Sequence, residues 1–463
     1  MRSHLLNDTT AERYRSSVTE GVERVAARLA TTPRPSTGVT AAELARRVEA
    51  VDLDAPLHDT IAALDELDEL YLRDAIPFHH PRHLAHLNCP VVIPAVLAEA
   101  VVSAVSSSLG TPDQSAGGTL IERRLIDWTC ERLGLGPAAD GVFTGGGAQS
   151  HLHALLLARE ETKEHDPARL RVFVSEAGHL GVRQAARLLG LGEDAVVVIP
   201  TDRNKRMQTV ALARELERCR RDDRSPMAVV ATAGTTDFGS IDPLPEIAEL
   251  CARYRTWLHV DAAYGCGLLA SRRNRHLLDG IERADSVTVD YDKSFFQPVG
   301  SSAVLVRGRA RGRLPDQAGT SPGTTRRLDA LKLWMTLRVM GADAIGDLFD
   351  EVCDTATKGW RMLAADPRFD VVAEPQLSTI VFRYIPTAIC APFAIDRANL
   401  YARKALFASG DAVVAGTKVG DRQYLRFTLL NPETTTADIT AVLDLIAGHA
   451  ERYLGGETLD RAC

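Results

Sequence analysis

Short β-branched runs alternating with amphipathic stretches dominate the middle of the chain. Between about His80 and Val306 the runs VFVSE, AVVVIP, MAVVATA, TWLHVDAA, SVTVD and SAVLVR are separated by segments with apolar residues at helical spacing. That alternation predicts an α/β fold with a mostly parallel central sheet and helices on both faces. The chain before this region reads differently. ERYRSSVTEGVERVAARLA and Ile61–Leu70 carry an apolar face at helical period, with the Pro/Thr-rich TTPRPSTGVT as a turn between them. After the helical DALKLWMTLRVMG the texture changes again, and FDVVAEP, STIVFRYIP and YLRFTLLNP read as an antiparallel sheet with closing helices. The expected units are a helical N-terminal segment at 1–79, a large α/β domain at 80–345 and a small α+β domain at 346–463.

Composition narrows the classes. A chain of 463 residues with 45% apolar and 25% charged residues is an ordinary globular chain, long enough for two or three domains. Lys plus Arg numbers 54 against 61 for Asp plus Glu, a formal charge of −7 that argues against a general nucleic-acid binder. For the same reason the Arg/Gly-rich RGRARGRLPDQAGTSPGTTRR at 307–327 reads as a solvated loop rather than an RNA-binding tract. The most apolar stretch, LNCPVVIPAVLAEAVVSAV, is broken by Pro90, Pro94 and Glu99, so it predicts a buried helix and not a membrane span. The first residues hold no apolar core of a signal peptide. The eight cysteines show no CxxC pair and no zinc spacing, which suits free thiols in a reducing compartment. The expectation is a cytoplasmic protein with no metal.

Three features carry candidate chemistry. DGVFTGGGAQSHLHALLLARE runs from a strand through Gly145, Gly146 and Gly147 into a helix, where free backbone N–H groups can hold a phosphate. It is neither a P-loop nor the dinucleotide fingerprint. His151 and His153 lie two apart on that helix and face different ways, so no metal site is expected there. TWLHVDAAYG places Asp261 at the end of an apolar strand, where such sheets present ligand groups, although a helix cap explains that motif alone equally well. DSVTVDYDKSFFQPVG places Lys293 just after another strand, beside Phe295 and Phe296, where desolvation should lower the amine pKa and favour a nucleophile. Together the three describe a pyridoxal phosphate site: Lys293 for the Schiff base, Asp261 for the pyridine nitrogen and the glycine turn for the phosphate.

The ordered motifs extend over nearly the whole chain: HPRHLAHLNCP, DQSAGGTLIERRLIDW, GGGAQS, SEAGHLG, ATAGTTDFGSIDP, HVDAAYG, the Lys293 segment and RRLDALKLWMTLRVMG. In this the sequence resembles the group II pyridoxal phosphate-dependent amino-acid decarboxylases, which have the aspartate aminotransferase-like fold (fold type I). HLAHLNCP, DQSAGGT and YLRFTLLNPETT are most similar to bacterial siderophore-pathway lysine decarboxylases and their diaminobutyrate and ornithine relatives. The resemblance implies decarboxylation of a basic amino acid, lysine first, to a diamine for a hydroxamate siderophore. It also implies a homodimer with sites at the interface. By motif it places His179 on the pyridine ring, and Thr235 and Ala263 near the cofactor. Gly146, Gly147, Ala148, Gln149 and Ser150 fall in the phosphate turn, Arg426 near the substrate carboxylate, and His80, Asp113 and Gln114 in segments lining the substrate cavity.

Four positions depart from the family pattern. The residue before the lysine, close to the cofactor phosphate, is ordinarily His and here is Asp292, a like-charge neighbour for a phosphate. The segment after VLVR, ordinarily a longer closing loop that supplies a phenolic proton donor, has about twenty residues and no Tyr, His or Lys. Pro112 stands where close relatives carry an aromatic residue, and GGGAQSH has fewer hydroxyls than usual, Ala148 among the changes. Three outcomes are consistent with these departures: an active diamine-forming decarboxylase, an enzyme that couples decarboxylation to oxidative deamination, or an impaired paralogue.

Overall fold

The structure is a computed structural model that describes residues 2–109, 112–308 and 325–456. Twelve strands are present among these residues: β1 (His83–Leu84), β2 (Asp140–Thr144), β3 (Leu170–Ser175), β4 (Val196–Ile199), β5 (Ser225–Thr232), β6 (Trp257–Asp261), β7 (Ser286–Asp290), β8 (Ser302–Val306), β9 (Phe369–Val371), β10 (Thr379–Tyr384), β11 (Val413–Val419) and β12 (Arg422–Thr428). They form two sheets, a seven-stranded one in the order β2-β8-β7-β6-β5-β3-β4 and a five-stranded one in the order β1-β11-β12-β10-β9.

In the large sheet, β4, β3, β5, β6 and β7 run parallel, and β8 is antiparallel to both β7 and β2. β6, β7 and β8 are buried along their whole length. Covered on both faces, such strands are near-continuous apolar runs rather than alternating ones. One face packs on a core that includes Phe173, Leu258, Val260, Val287 and Phe349, the other on a second cluster around Leu155, Val172, Ala186 and Val230. Register places the carboxyl ends of β2, β3, β5, β6 and β7 along one edge, where ligand sites of such sheets form.

The small sheet is antiparallel apart from β1, which pairs parallel with β11 through His83↔Val413 and Leu84↔Val414. Neither β1 nor β11 was part of the expected sheet. Residues 79–84 are further tied to the small unit by Asn431 Nδ2 donating to the His79 carbonyl (2.9 Å) and Thr434 Oγ1 to that of Pro81 (2.8 Å). A few residues on, the same stretch is bound to the large unit: Cys89 Sγ donates to the Asp292 carbonyl (3.5 Å) and Val92 N to that of Phe296 (2.9 Å).

Two helices differ from expectation. Ile93–Val105 buries only Ala95, Ala98 and Val102 and exposes Ile93, Val96, Leu97, Val101 and Val105, so it is a one-faced helix rather than a buried one. Ala11–Thr31 buries no side chain, and its stripe Val18, Val22, Val25 and Leu29 is exposed. Among the described residues no helix is long and apolar enough to cross a membrane, and the seven described cysteines are free. Residues 309–324, on which the expectation of a shortened closing loop falls, lie outside the described residues.

Candidate active site

The carboxyl edge of the large sheet gathers the chemistry-bearing residues. β2 ends at Thr144 and passes through the glycine turn into the helix Gly147–Glu161. Gly146 has φ +155°, which a side chain disfavours, and a Cβ on Gly147 would lie 3.0 Å from Asp290 Oδ2. The bare backbone presents the N–H groups of Gly147 and Ala148 at the helix start, while those of Gln149 and Ser150 donate to the Gly146 carbonyl (3.1 and 3.2 Å). Gln149 Oε1 folds back to accept from Gly145 N (2.8 Å), and Ser150 Oγ bonds Thr144 Oγ1 (2.7 Å). Those two side chains therefore brace the turn, and Ala148 adds no polar atom.

β7 ends at Asp290 and turns directly into the short helix Tyr291–Ser294, which presents Lys293. Lys293 Nζ lies 2.8 Å from Asp290 Oδ2. Burial alone would lower the amine pKa, but Asp290, Asp261 and Asp292 together outweigh it and hold the pKa above the ordinary lysine value. The expectation of a lowered lysine pKa is thus corrected: it rested on the neighbouring phenylalanines, whereas three carboxylates surround the amine.

β6 ends at Asp261. Burial pushes its carboxyl up, yet His151 (Nε2 to Oδ2, 3.3 Å), Lys293 and the Ala263 N–H (3.1 Å to Oδ1) together bring it well below the usual carboxylate range. His179 follows β3, its Nδ1 accepting from Gly181 N at 3.1 Å and its ring centroid 6.0 Å from that of His151. Burial holds its imidazole below the usual pKa, so the ring is neutral at pH 7.

Thr235 is buried after β5, where its Oγ1 accepts from Ser240 N (3.1 Å). Beside it, Arg426 of β12 donates through Nη1 to the Thr236 carbonyl (3.2 Å) and pairs with Asp237, linking the small sheet to this edge. Its Nε is buried without a partner. Asp292 is half-buried, with Oδ2 accepting from Gly300 N (3.4 Å) and Oδ1 unpartnered. Burial, then Asp290, raises its carboxyl to about 6.

The structure thus brings together Lys293, Asp261, Ala263, His179, Asp292 and Gly147, with Gly146 in the adjoining turn, while Thr235 lies in the loop after β5 to which Arg426 is bonded. His80 Nδ1 accepts from Arg82 N (3.1 Å), and its ring is near Asp438. Asp113 is exposed in the first turn of the helix Pro112–Leu133, and Gln114 follows it in that turn. Sequence reasoning missed Asp290 and His151. Asp290 could have been found as an acid one helical turn before the lysine. His151 depends on the phase of its helix against β6, which no local pattern shows. Among the described residues no cluster of His, Cys, Asp or Glu could hold a metal ion.

The geometry can be compared with the demands of pyridoxal phosphate. An amine, a buried ionised carboxylate, a neutral aromatic ring and an N–H cradle that a Cβ would fill suit its aldehyde, ring nitrogen, ring face and phosphate. Asp292 is the discordant group: even with its carboxyl raised to about 6 it is largely ionised at pH 7.5, a like charge for a phosphate.

Residues 49–385 match the family described as pyridoxal-dependent decarboxylase conserved domain, and the chain belongs to that family. It is a group II amino-acid decarboxylase with pyridoxal 5'-phosphate as cofactor. It is 39% identical over 411 residues to an L-2,4-diaminobutyrate decarboxylase of Rhizobium meliloti (strain 1021), covering 85% of this chain and 82% of that one. It is 34% identical over 428 residues to the enzyme of the same name from Acinetobacter baumannii, covering 84% of each. In structure it is similar to the glutamate decarboxylase domain of a diaminobutyrate-pyruvate transaminase and L-2,4-diaminobutyrate decarboxylase from Vibrio parahaemolyticus. That match has TM-score 0.90 and 31% identity over 97% of both chains. Oryza sativa TDC with PLP and tryptamine shares the fold at TM-score 0.89 and 23% identity, over 97% of this chain and 100% of that one.

Proposed function

We propose that the protein decarboxylates an L-amino acid carrying a second amino group, with 2,4-diaminobutyrate as the first substrate to test. The family membership and the two relatives of that name support the class. The observation that carries the site is the convergence of Lys293, Asp261 and the glycine cradle on one sheet edge. Lysine and ornithine differ from diaminobutyrate by methylenes, each worth only about 1–3 kcal/mol of discrimination. Lysine, expected from the resemblance as feedstock for a hydroxamate siderophore, is therefore the second arm of the test.

In this reading Lys293 Nζ carries the cofactor, Asp261 faces the ring nitrogen, His179 packs on the ring and the Gly146–Gly147 turn holds the phosphate. Bound there, pyridoxal phosphate supplies an acceptor for the electron pair released as the carboxylate leaves as CO₂. Lys293 must shed a proton before it can link covalently, and Asp290 Oδ2, 2.8 Å away, is placed to hold that proton. Arg426 has a buried Nε free of partners, a donor for the substrate carboxylate. The exposed apolar stripe of Ala11–Thr31 supports a homodimer.

Borohydride reduction of the holoenzyme followed by peptide mapping should mark Lys293, and a mark on Lys332 or Lys418 instead refutes the assignment. Incubation with diaminobutyrate, ornithine and lysine, with products read by mass, should give the corresponding diamine and CO₂. Turnover of none of them refutes the substrate class.

A further inference from the structure

We infer that His151 is a positioning residue that keeps Asp261 ionised, held in that role by a buried hydrogen-bonded chain through His259 and Ser286 to Trp257. The inference rests on the reading that Asp261 meets the cofactor's ring nitrogen.

His151 opens the second turn of Gly147–Glu161 and is buried against β6. Its Nε2 faces Asp261 Oδ2 at 3.3 Å and its Nδ1 faces His259 Nε2 at 3.2 Å. His259 is buried; its Nδ1 lies 2.8 Å from Ser286 Oγ, and its Nε2 is also 3.1 Å from Thr288 Oγ1. Ser286 Oγ accepts the indole N–H of Trp257 at 2.8 Å.

Counting protons along the chain leaves few arrangements. The indole can only donate, and a neutral imidazole donates through one nitrogen and accepts through the other. If Ser286 donates to His259 Nδ1, then His259 Nε2–H donates to His151 Nδ1, and His151 Nε2–H donates to Asp261. Every ring is then neutral and every link has one donor and one acceptor. If the middle link is reversed, His151 Nδ1–H donates to His259. His151 Nε2 and Asp261 Oδ2 then need one further proton between them, and the lowered pKa of the Asp261 carboxyl puts that proton on the nitrogen. In both arrangements Asp261 faces an N–H.

That donor matters because burial by itself would protonate Asp261. The groups facing the pair are His259 on the same strand, His179 across the ring face, and Lys293 with Asp290 and Asp292 from β7 and the turn after it. Of these, Lys293 is the one that lowers the Asp261 pKa, and its Nζ would be committed to the cofactor once linked. The His151 N–H and the Ala263 N–H then remain to hold the negative charge opposite the ring nitrogen.

The test uses holoenzyme loaded with pyridoxal phosphate labelled with ¹⁵N in the ring, whose chemical shift reports ring protonation against pH. His151→Leu should lower the proton affinity of the ring nitrogen at least about tenfold, one pH unit. His151→Gln, whose amide N–H can replace Nε2–H, should recover most of it. An unmoved midpoint in His151→Leu, or no recovery by Gln in a variant that binds cofactor, overturns the inference. Should His151→Leu not fold, His259→Leu is read in its place: it leaves His151 Nδ1 without its partner and should move the midpoint the same way, and no movement overturns the chain. Failure of the underlying reading is distinct, because then Lys293 takes no borohydride label or Asp261→Asn leaves the midpoint unmoved.

Discussion

Replacing Asp292 by asparagine removes one charge and little volume from the most discordant position in the site. Its carboxyl is raised from an ordinary 3.8 to about 6, first by burial and then by Asp290. The folded state therefore binds the proton more tightly than the unfolded chain does. Stability is full below the unfolded value, falls as pH rises from about 4 to about 6, and stays at the lower level above that. At about 1.4 kcal/mol per pKa unit the loss approaches about 3 kcal/mol, and partial solvent access brings the expected gain of Asp292→Asn nearer about 1–2 kcal/mol at pH 7.5. Urea titration of the apo-protein at pH 7.5 and at pH 5 should show the variant more stable at the higher pH, with the gap closing at the lower. Cofactor titration should show the same trend, with Asp292→His and Asp292→Asn both binding pyridoxal phosphate about tenfold tighter than the parent near pH 7.5. Equal or weaker stability and affinity in both variants at pH 7.5 would refute the reasoning, since the charge at 292 would then face neither Asp290 nor the phosphate.

Arg326 and Glu122 form a buried pair, 9% and 4% exposed, at 2.8 Å. Arg326→Met should cost about 3–5 kcal/mol in urea unfolding at pH 8, less at pH 5.5 where Glu122 can take a proton, and Glu122→Gln added to it should restore most of the loss. If Ala11–Thr31 lies between two copies, Val22→Asp should shift sedimentation from dimer towards monomer, and an unchanged dimer would place the interface elsewhere.

The large sheet was legible because strands covered on both faces are mostly apolar, and the runs ending at Ser175, Asp261 and Asp290 are so apart from Arg171, His259, Ser286 and Thr288. β11 was not, because Gly416 and Lys418 break its pattern as one side of the strand opens to solvent. β1 is two residues whose strand character comes wholly from pairing with Val413 and Val414. The helix Ile93–Val105 misled through composition: its mean apolarity suggested full burial, but only a face with alanines and Val102 packs. At the site, residue types and order pointed to Lys293, Asp261 and the glycine turn. What sequence did not show was electrostatic: Asp290 and Asp261 reach the lysine from the ends of two adjacent strands, and that adjacency reverses the expected direction of its pKa.

The stretch from β1 to Val92 acts mechanically as a short leash between two bodies. Leu84 is woven into the small sheet, and Cys89 and Val92 grip the backbone at Asp292 and Phe296, on either side of Lys293. Five peptide steps between the first two anchors span at most about 18 Å even when taut. The small body therefore cannot drift away from the lysine, and Arg426 on the small sheet and the lysine turn are tethered to one another through a handful of peptide bonds.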